Sequence, residues 1–313
     1  MLDRYDPRWG DARDRGESRD IGRGGRGGGQ SFNTRSRDAR DVFTQDLDLP
    51  RGQERQMVRE HNHTYELNGS ESRALATAGA FRVVRVEDLR PCLDLPEDGR
   101  GRRGDGLQHL HESRLVRTVP LDGRGREVVV LTRKGRDLIE ANRIDRDRES
   151  RQTFYAGVRK PRELTHDAQV YRAFLRAEER LRASGARVRR VVLDYELKQE
   201  YQRFLQEGNR GRADSDGRPD RDEDEIEAWA REHDLPFFDD SVHFPDARVE
   251  YDDRDGRARH EDIEVVTEHY RGAHAAGVAR SGFTCYRVAT LGGRGSGGRG
   301  RPFDPRVAED LLP

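Results

Sequence analysis

Asp246 and Glu264 are the residues whose types and spacing point most directly to chemistry. Each lies in a stretch that alternates charged and apolar residues: Phe244-Pro-Asp-Ala-Arg-Val-Glu-Tyr and Glu261-Asp-Ile-Glu-Val-Val-Thr. Alternation with period two marks a half-buried strand. Asp252-Asp-Arg-Asp-Gly between them has turn chemistry, so the pair predicts a hairpin. On adjacent strands the two carboxylates can point the same way and share a divalent ion. Mg²⁺ suits such a pair, because it is a hard cation that takes oxygen ligands. Metals held by carboxylates are a common means of cutting phosphodiesters. Two residues after Glu264 stands Val266, which can neither orient a water nor stabilise charge developing on a phosphate. Lys198 and Arg248 are cations that could act in its place, and Glu178 or Glu179 could add a third acid. A plainer reading stands beside this one. Asp246 follows Pro245 and can simply cap a turn, and Glu264 can pair with an arginine across the hairpin.

A second set of residues has the chemistry of nucleic-acid contact. Gln108, His109, His111 and Arg114 fall on or beside one predicted helix; Arg124 and Arg126 fall on a predicted hairpin; Arg133 and Lys134 follow it. Arg and Lys supply phosphate contacts, while Gln and Arg can read base edges. Solvated faces also carry such residues, and GC-rich codon usage alone enriches arginine. The elements around them are a helix opened by Ser70 and reaching Phe81, a short helix from Val86, and a loosely helical stretch with Leu107 and Leu110. A hairpin turning at Asp122-Gly-Arg-Gly follows, and then a helix capped by Thr132. Helix, helix, helix, hairpin, helix is the order of a winged helix. Its third helix enters the major groove and its hairpin wing touches the backbone.

These elements divide the 313 residues. Only 32% of the chain is hydrophobic and 38% is charged, too little apolar mass for all of it to be packed core. Residues 1–55, rich in Arg, Gly and Asp, read as a disordered tail. Residues 56–145 form the first folded unit, 146–162 a charged linker, and 163–290 the second unit. An acidic, aperiodic insertion spans 209–224, and 291–313 is a Gly/Arg-rich C-terminal tail. In the second unit, apolar positions at helical spacing run from Leu164 to Leu181, Gly185 stops that helix, and Val188–Leu193 reads as a buried strand. Tyr195 to Gln206 and Glu225 to His233 are helical. The hairpin follows, then an Ala-rich helix and a last strand at Phe283. No apolar run is long enough to span a membrane, and Cys92 and Cys285 have no metal-ligand spacing, so a reduced, cytoplasmic protein is expected. The Gly-rich segments precede no nucleotide-binding unit.

The second unit thus runs helix, strand, insertion, strand, strand, helix, strand. That order resembles a restriction-endonuclease-like (PD-(D/E)XK-type) αβ core, with Phe244-Pro-Asp-Ala and Ile263-Glu-Val-Val-Thr at the motif positions. A winged helix followed by this core resembles the replication-relaxation family of plasmid and mobile-element proteins. Thr165-His-Asp at the start of the core's first helix and Tyr270-Arg-Gly in its later helix add to the likeness, which covers roughly residues 60 to 290. The resemblance implies a mixed α+β, α/β chain and a double-stranded DNA partner, and the disordered tails lie outside it. It also implies a role in replication, maintenance or conjugative transfer, alongside plasmid replication or transfer proteins. Asp246 and Glu264 match the two acidic positions, as catalytic and Mg²⁺-binding residues; Val266 departs from the third, usually Lys. A DNA-binding accessory protein with a degenerate nuclease-like core is therefore the main expectation. A metal-dependent nuclease or nickase, and an adaptor in a transfer or replication assembly, are the alternatives.

Overall fold

Asn68 starts the first long helix. Its side-chain oxygen accepts from the Glu71 backbone N–H (2.9 Å), and the Glu71 carboxylate accepts from the Asn68 N–H (3.0 Å). This reciprocal box satisfies donors that a helix start leaves open. The cap therefore falls at Asn68 rather than Ser70, because Asn68 has the extended backbone of a cap and Ser70 is already helical. α1 (Gly69–Ala80) ends at Phe81, and Arg82, with φ +62°, turns the chain into β3 (Val84–Arg85) and α2 (Val86–Leu93). α3 (Asp105–Glu112), β4 (Val116–Pro120), β5 (Glu127–Leu131) and α4 (Arg133–Ala141) follow. Thr132 caps α4 by accepting from the Gly135 N–H (3.1 Å), as its sequence position predicts. The three strands form one antiparallel sheet in the order β3-β5-β4. Ahead of α1 stands a ribbon absent from the sequence expectation, β1 (Gln56–Glu60) paired with β2 (His63–Leu67).

The computed structural model describes residues 39–93, 105–121, 125–144, 151–158, 163–211, 221–266, 277 and 280–287. The tail at 1–38, Arg124, the centre of the acidic insertion, most of the helix expected before the last strand, and the C-terminal tail lie outside the described residues.

The second half begins with α5 (Leu164–Ala183), which stops at Gly185 (φ +83°) as expected. β6 (Arg187–Leu193), α6 (Asp194–Gln206) and α7 (Glu223–Glu232) come next. A small hairpin of β7 (Phe237–Phe238) and β8 (Ser241–Val242) precedes β9 (Ala247–Asp252), β10 (Ala258–Val266) and β11 (Thr284–Arg287). The predicted hairpin is thus β9 and β10. The sheet order is β11-β10-β9-β6, with β9 antiparallel to both neighbours and β10 parallel to β11. Val191, Leu193, Ala247, Val249, Ile263 and Val265 share a core with Ala173, Phe174 and Ala177 of α5. On the other face Val192 packs with Leu197 of α6, and with Trp229 and Ala230 of α7. The sheet is therefore a middle layer between helices, and the chain is a mixed α and β protein. Gln152 covers the outer edge of β6: its amide accepts from the Val191 N–H and donates to the Val191 carbonyl, both at 2.9 Å. A side chain here takes the place of a neighbouring strand and blunts an edge open to mispairing.

Two boundaries differ from expectation. Residues 39–55, expected to belong to the tail, include a 3₁₀ turn at Ala39–Thr44 in which Phe43 is buried. The apolar core also crosses the 146–162 linker. Phe81 lies 5.3 Å from Phe43, 5.0 Å from Tyr171 and 5.1 Å from Phe174, ring centre to ring centre. Beside this cluster, Arg172 of α5 grips Asp88 of α2 through two bonds of 2.7 and 2.9 Å. Among the described residues no helix is long and apolar enough to cross a membrane.

Because Phe81 fills a core shared by both halves, Phe81→Ala should destabilise the full chain by about 3–5 kcal/mol, read from urea unfolding. A loss below about 1 kcal/mol would contradict the shared core.

Candidate functional site

The register of β9 and β10 sets the surroundings of the carboxylate pair. Ala247 pairs with Ile263, so Asp246, one residue before β9, stands opposite Glu264. Side chains alternate along a strand, and Glu264 shares a face with Asp262. Asp262 is gripped by Arg248 at 2.7 and 2.9 Å, and Arg248 also donates to the carbonyls of His233 (2.7 Å) and Asp234 (2.9 Å) at the end of α7. Glu264 is buried on that face, away from the α5 core.

Asp246 lies outside the strand and turns along the sheet end towards α5. Its Oδ2 accepts from the Val265 N–H (2.8 Å) and lies 3.1 Å from His166 Nε2. The other ring nitrogen of His166 is 3.8 Å from Asp167 Oδ1. Burial disfavours charge on this imidazole, but the hydrogen bond to Asp246 and the charges of both Asp246 and Asp167 outweigh it. The His166 pKa is pushed up to about 10. At neutral pH His166 is an imidazolium with both nitrogens directed at carboxylates. It is a counter-cation for Asp246 and has no lone pair to act as a base.

Asp246 Oδ2 already serves a backbone N–H and an imidazolium, and Glu264 shares its strand face with Asp262. Among the described residues no group of three or more His, Cys, Asp or Glu side chains is placed to hold a metal. The cations considered in place of a lysine at Val266 are engaged elsewhere: Lys198 donates to Asp194 (2.8 Å) and Arg248 to Asp262. Glu178 is buried on α5 and Glu179 is exposed.

The residues expected to meet nucleic acid separate into two groups. Gln108 and His111 are exposed on α3, and the Gln108 amide donates to Glu112 (2.7 Å). His109 is turned inward, with Nδ1 2.9 Å from the buried Glu71 carboxylate, so it is not on the outer surface of the helix. Arg114 is exposed just after α3, in the left-handed region (φ +59°). Thr132 joins this corner to α4, its hydroxyl donating to the Arg114 carbonyl (2.6 Å) and the Leu115 carbonyl (3.0 Å). Gly135 makes the approach possible, since a Cβ there would lie 2.2 Å from the Leu115 carbonyl oxygen. Arg133 and Lys134, both exposed, occupy the first turn of α4. Three exposed cations are therefore borne by the chain where α3 ends and α4 begins, near the α4 N-terminus, whose N–H groups favour an anion. Arg126 is exposed at the base of the wing; Arg124 is outside the described residues.

Sequence reasoning did not find the buried Glu71 as a meeting point, nor His166 as the partner of Asp246. The signal for Glu71 was present as Asn68-x-x-Glu71, the spacing of a capping box. No family model, curated protein or solved structure matches the chain.

The His166 contact makes a pH prediction. Its folded pKa lies above the ordinary 6.5, so its contribution to stability is full below that value and is lost as pH rises through about 10. The advantage of wild type over His166→Gln, from urea midpoints, should be largest below about pH 6.5 and vanish near pH 10. A gap that grows with pH would contradict the imidazolium.

Proposed function

We propose that this chain is a DNA-binding accessory protein that docks on duplex DNA through α3, the β4–β5 wing and the start of α4. The observation that carries the reading is the corner where Thr132 binds the Arg114 carbonyl and brings the backbone that bears the exposed Arg114 next to the start of α4, which bears the exposed Arg133 and Lys134. Gln108 and His111 project from α3 beside it, in position to meet base edges in a major groove. Arg133, Lys134 and Arg126 serve the phosphates. Support also comes from topology. The order α1-β3-α2-α3-β4-β5, with sheet order β3-β5-β4, suits a winged helix. The order β6-β9-β10-β11 in the second half suits a restriction-endonuclease-like core.

In this reading the second half is a platform. Asp246 is neutralised by His166, and the first turn of α7 carries Glu223, Asp224 and Glu225, which repel phosphate. The resemblance to the replication-relaxation family makes a bacterial plasmid or other mobile element the setting, with replication, maintenance or conjugative transfer as the process. A second reading is a metal-dependent nickase. One observation favours it, the register that sets Asp246 opposite Glu264 at one end of the sheet.

Duplex binding by the full chain should weaken steeply as salt rises, because bound arginines and lysines release counterions. Replacing Arg133 and Lys134 together with alanine should lower affinity for all sequences alike and flatten the salt slope by about two. Absence of binding at low salt would remove the reading.

With Mg²⁺ or Mn²⁺ the full chain should nick plasmid DNA no faster than background. Robust cleavage abolished by both Asp246→Ala and Glu264→Ala would select the nickase instead.

A further inference from the structure

Glu71 is completely buried, yet three parts of the chain meet on its carboxylate. Oε2 accepts from the Asn68 N–H at the start of α1 (3.0 Å). Oε1 accepts from Arg55 Nη2, just ahead of β1 (2.8 Å), and lies 2.9 Å from His109 Nδ1 in α3. The helices are close at this point. A Cβ on Gly106, near the start of α3, would lie 3.0 Å from a Leu93 methyl and 3.6 Å from Glu71 Cγ. Successive side chains on a helix are about 100° apart, so fixing His109 inward fixes the direction of the others. Gln108, His111 and Glu112, spaced by three and four, are left on an outer face.

We infer that Glu71 and His109 are positioning residues for the DNA-facing surface of α3, setting which side chains meet the duplex. The inference rests on the DNA-binding reading above and assigns His109 no contact with a base. A carboxylate is suited to the task. Buried, it requires its donors, and the directions of its hydrogen bonds allow α3 one rotation about its axis. An apolar contact at the same place would let the helix roll.

The test uses the full chain. Duplexes are selected from a random library with wild type, and the selected duplex is compared with a scrambled one. The proteins are wild type, His109→Ala, His109→Gln, Glu71→Gln and the double variant His109→Ala/Glu71→Gln. His109→Ala should reduce the preference for the selected duplex by about tenfold, the size of one misplaced base contact. The salt slope should stay as in wild type, because the phosphate contacts are elsewhere. The double variant should lose no more preference than Glu71→Gln alone, since both changes break one interaction. His109→Gln keeps a donor and should retain part of the preference. In DNA-free protein, amide exchange of α3 should quicken in His109→Ala while that of α5 is unchanged. An unaltered preference in His109→Ala overturns the inference. So does an equal loss in both backgrounds, which marks a direct base contact, or unchanged exchange in α3. Wild type that binds no duplex overturns the DNA reading and this inference with it; wild-type binding with an unaffected variant overturns this inference alone.

Discussion

Phe81 closes α1 and is buried against Phe43, Tyr171 and Phe174, and the rest of the architecture depends on this contact. Buried aromatic rings contribute large apolar area and prefer tilted or edge-on neighbours, so the cluster joins its elements in a defined geometry. It draws the N-terminal turn, the α1 bundle and the four-stranded half into one core. α5 carries the arrangement further. Near its middle lie Tyr171 and Phe174, which meet Phe81, and in its first turn lies His166, which meets Asp246. One helix therefore ties the N-terminal half to the sheet end that holds the carboxylates.

Around that core, buried and half-buried carboxylates are matched with donors from other elements. Glu71 takes Arg55 and His109, Asp88 takes Arg172, Asp262 takes Arg248, and Asp246 takes His166. Where such a pair is fully buried, removing one member leaves a charge without compensation, at a cost of about 3–5 kcal/mol. These pairs add little net stability but define which surfaces meet. They also divide the abundant arginines into two populations. Arg172, Arg190 and Arg248 are engaged with acids in the fold, while Arg114 and Arg133 present themselves to solvent. Only the second population can serve a phosphate backbone.

Much of this was legible in the sequence, and the legible part was local. Alternation marked β9 and β10, apolar spacing marked α5, and Thr132 and Gly185 marked a helix start and stop by chemistry acting within a few residues. The unread part depended on distant partners. His109 reaches Glu71 across 38 residues, and nothing near His109 announces that it faces inward. His166 and Asp246 are brought together by the packing of α5 on the sheet. The β1–β2 ribbon escaped notice because only Val58 and Leu67 of its residues are buried, too few to stand out in a charged stretch. Phe43 was lost within an Arg- and Asp-rich composition, although it is buried together with Leu47 and Leu49.

The central claim is that α3, the wing and the first turn of α4 form the face that meets duplex DNA. Hydrogen exchange of the full chain with and without a bound duplex tests it most directly. The account predicts new protection confined to Asp105–Glu112, the β4–β5 connection and Arg133–Arg136, with the sheet end at Asp246 and Glu264 unchanged. Protection centred on Asp246, His166 and Glu264, with α3 unaffected, would contradict it and place the DNA on the half built around the four-stranded sheet.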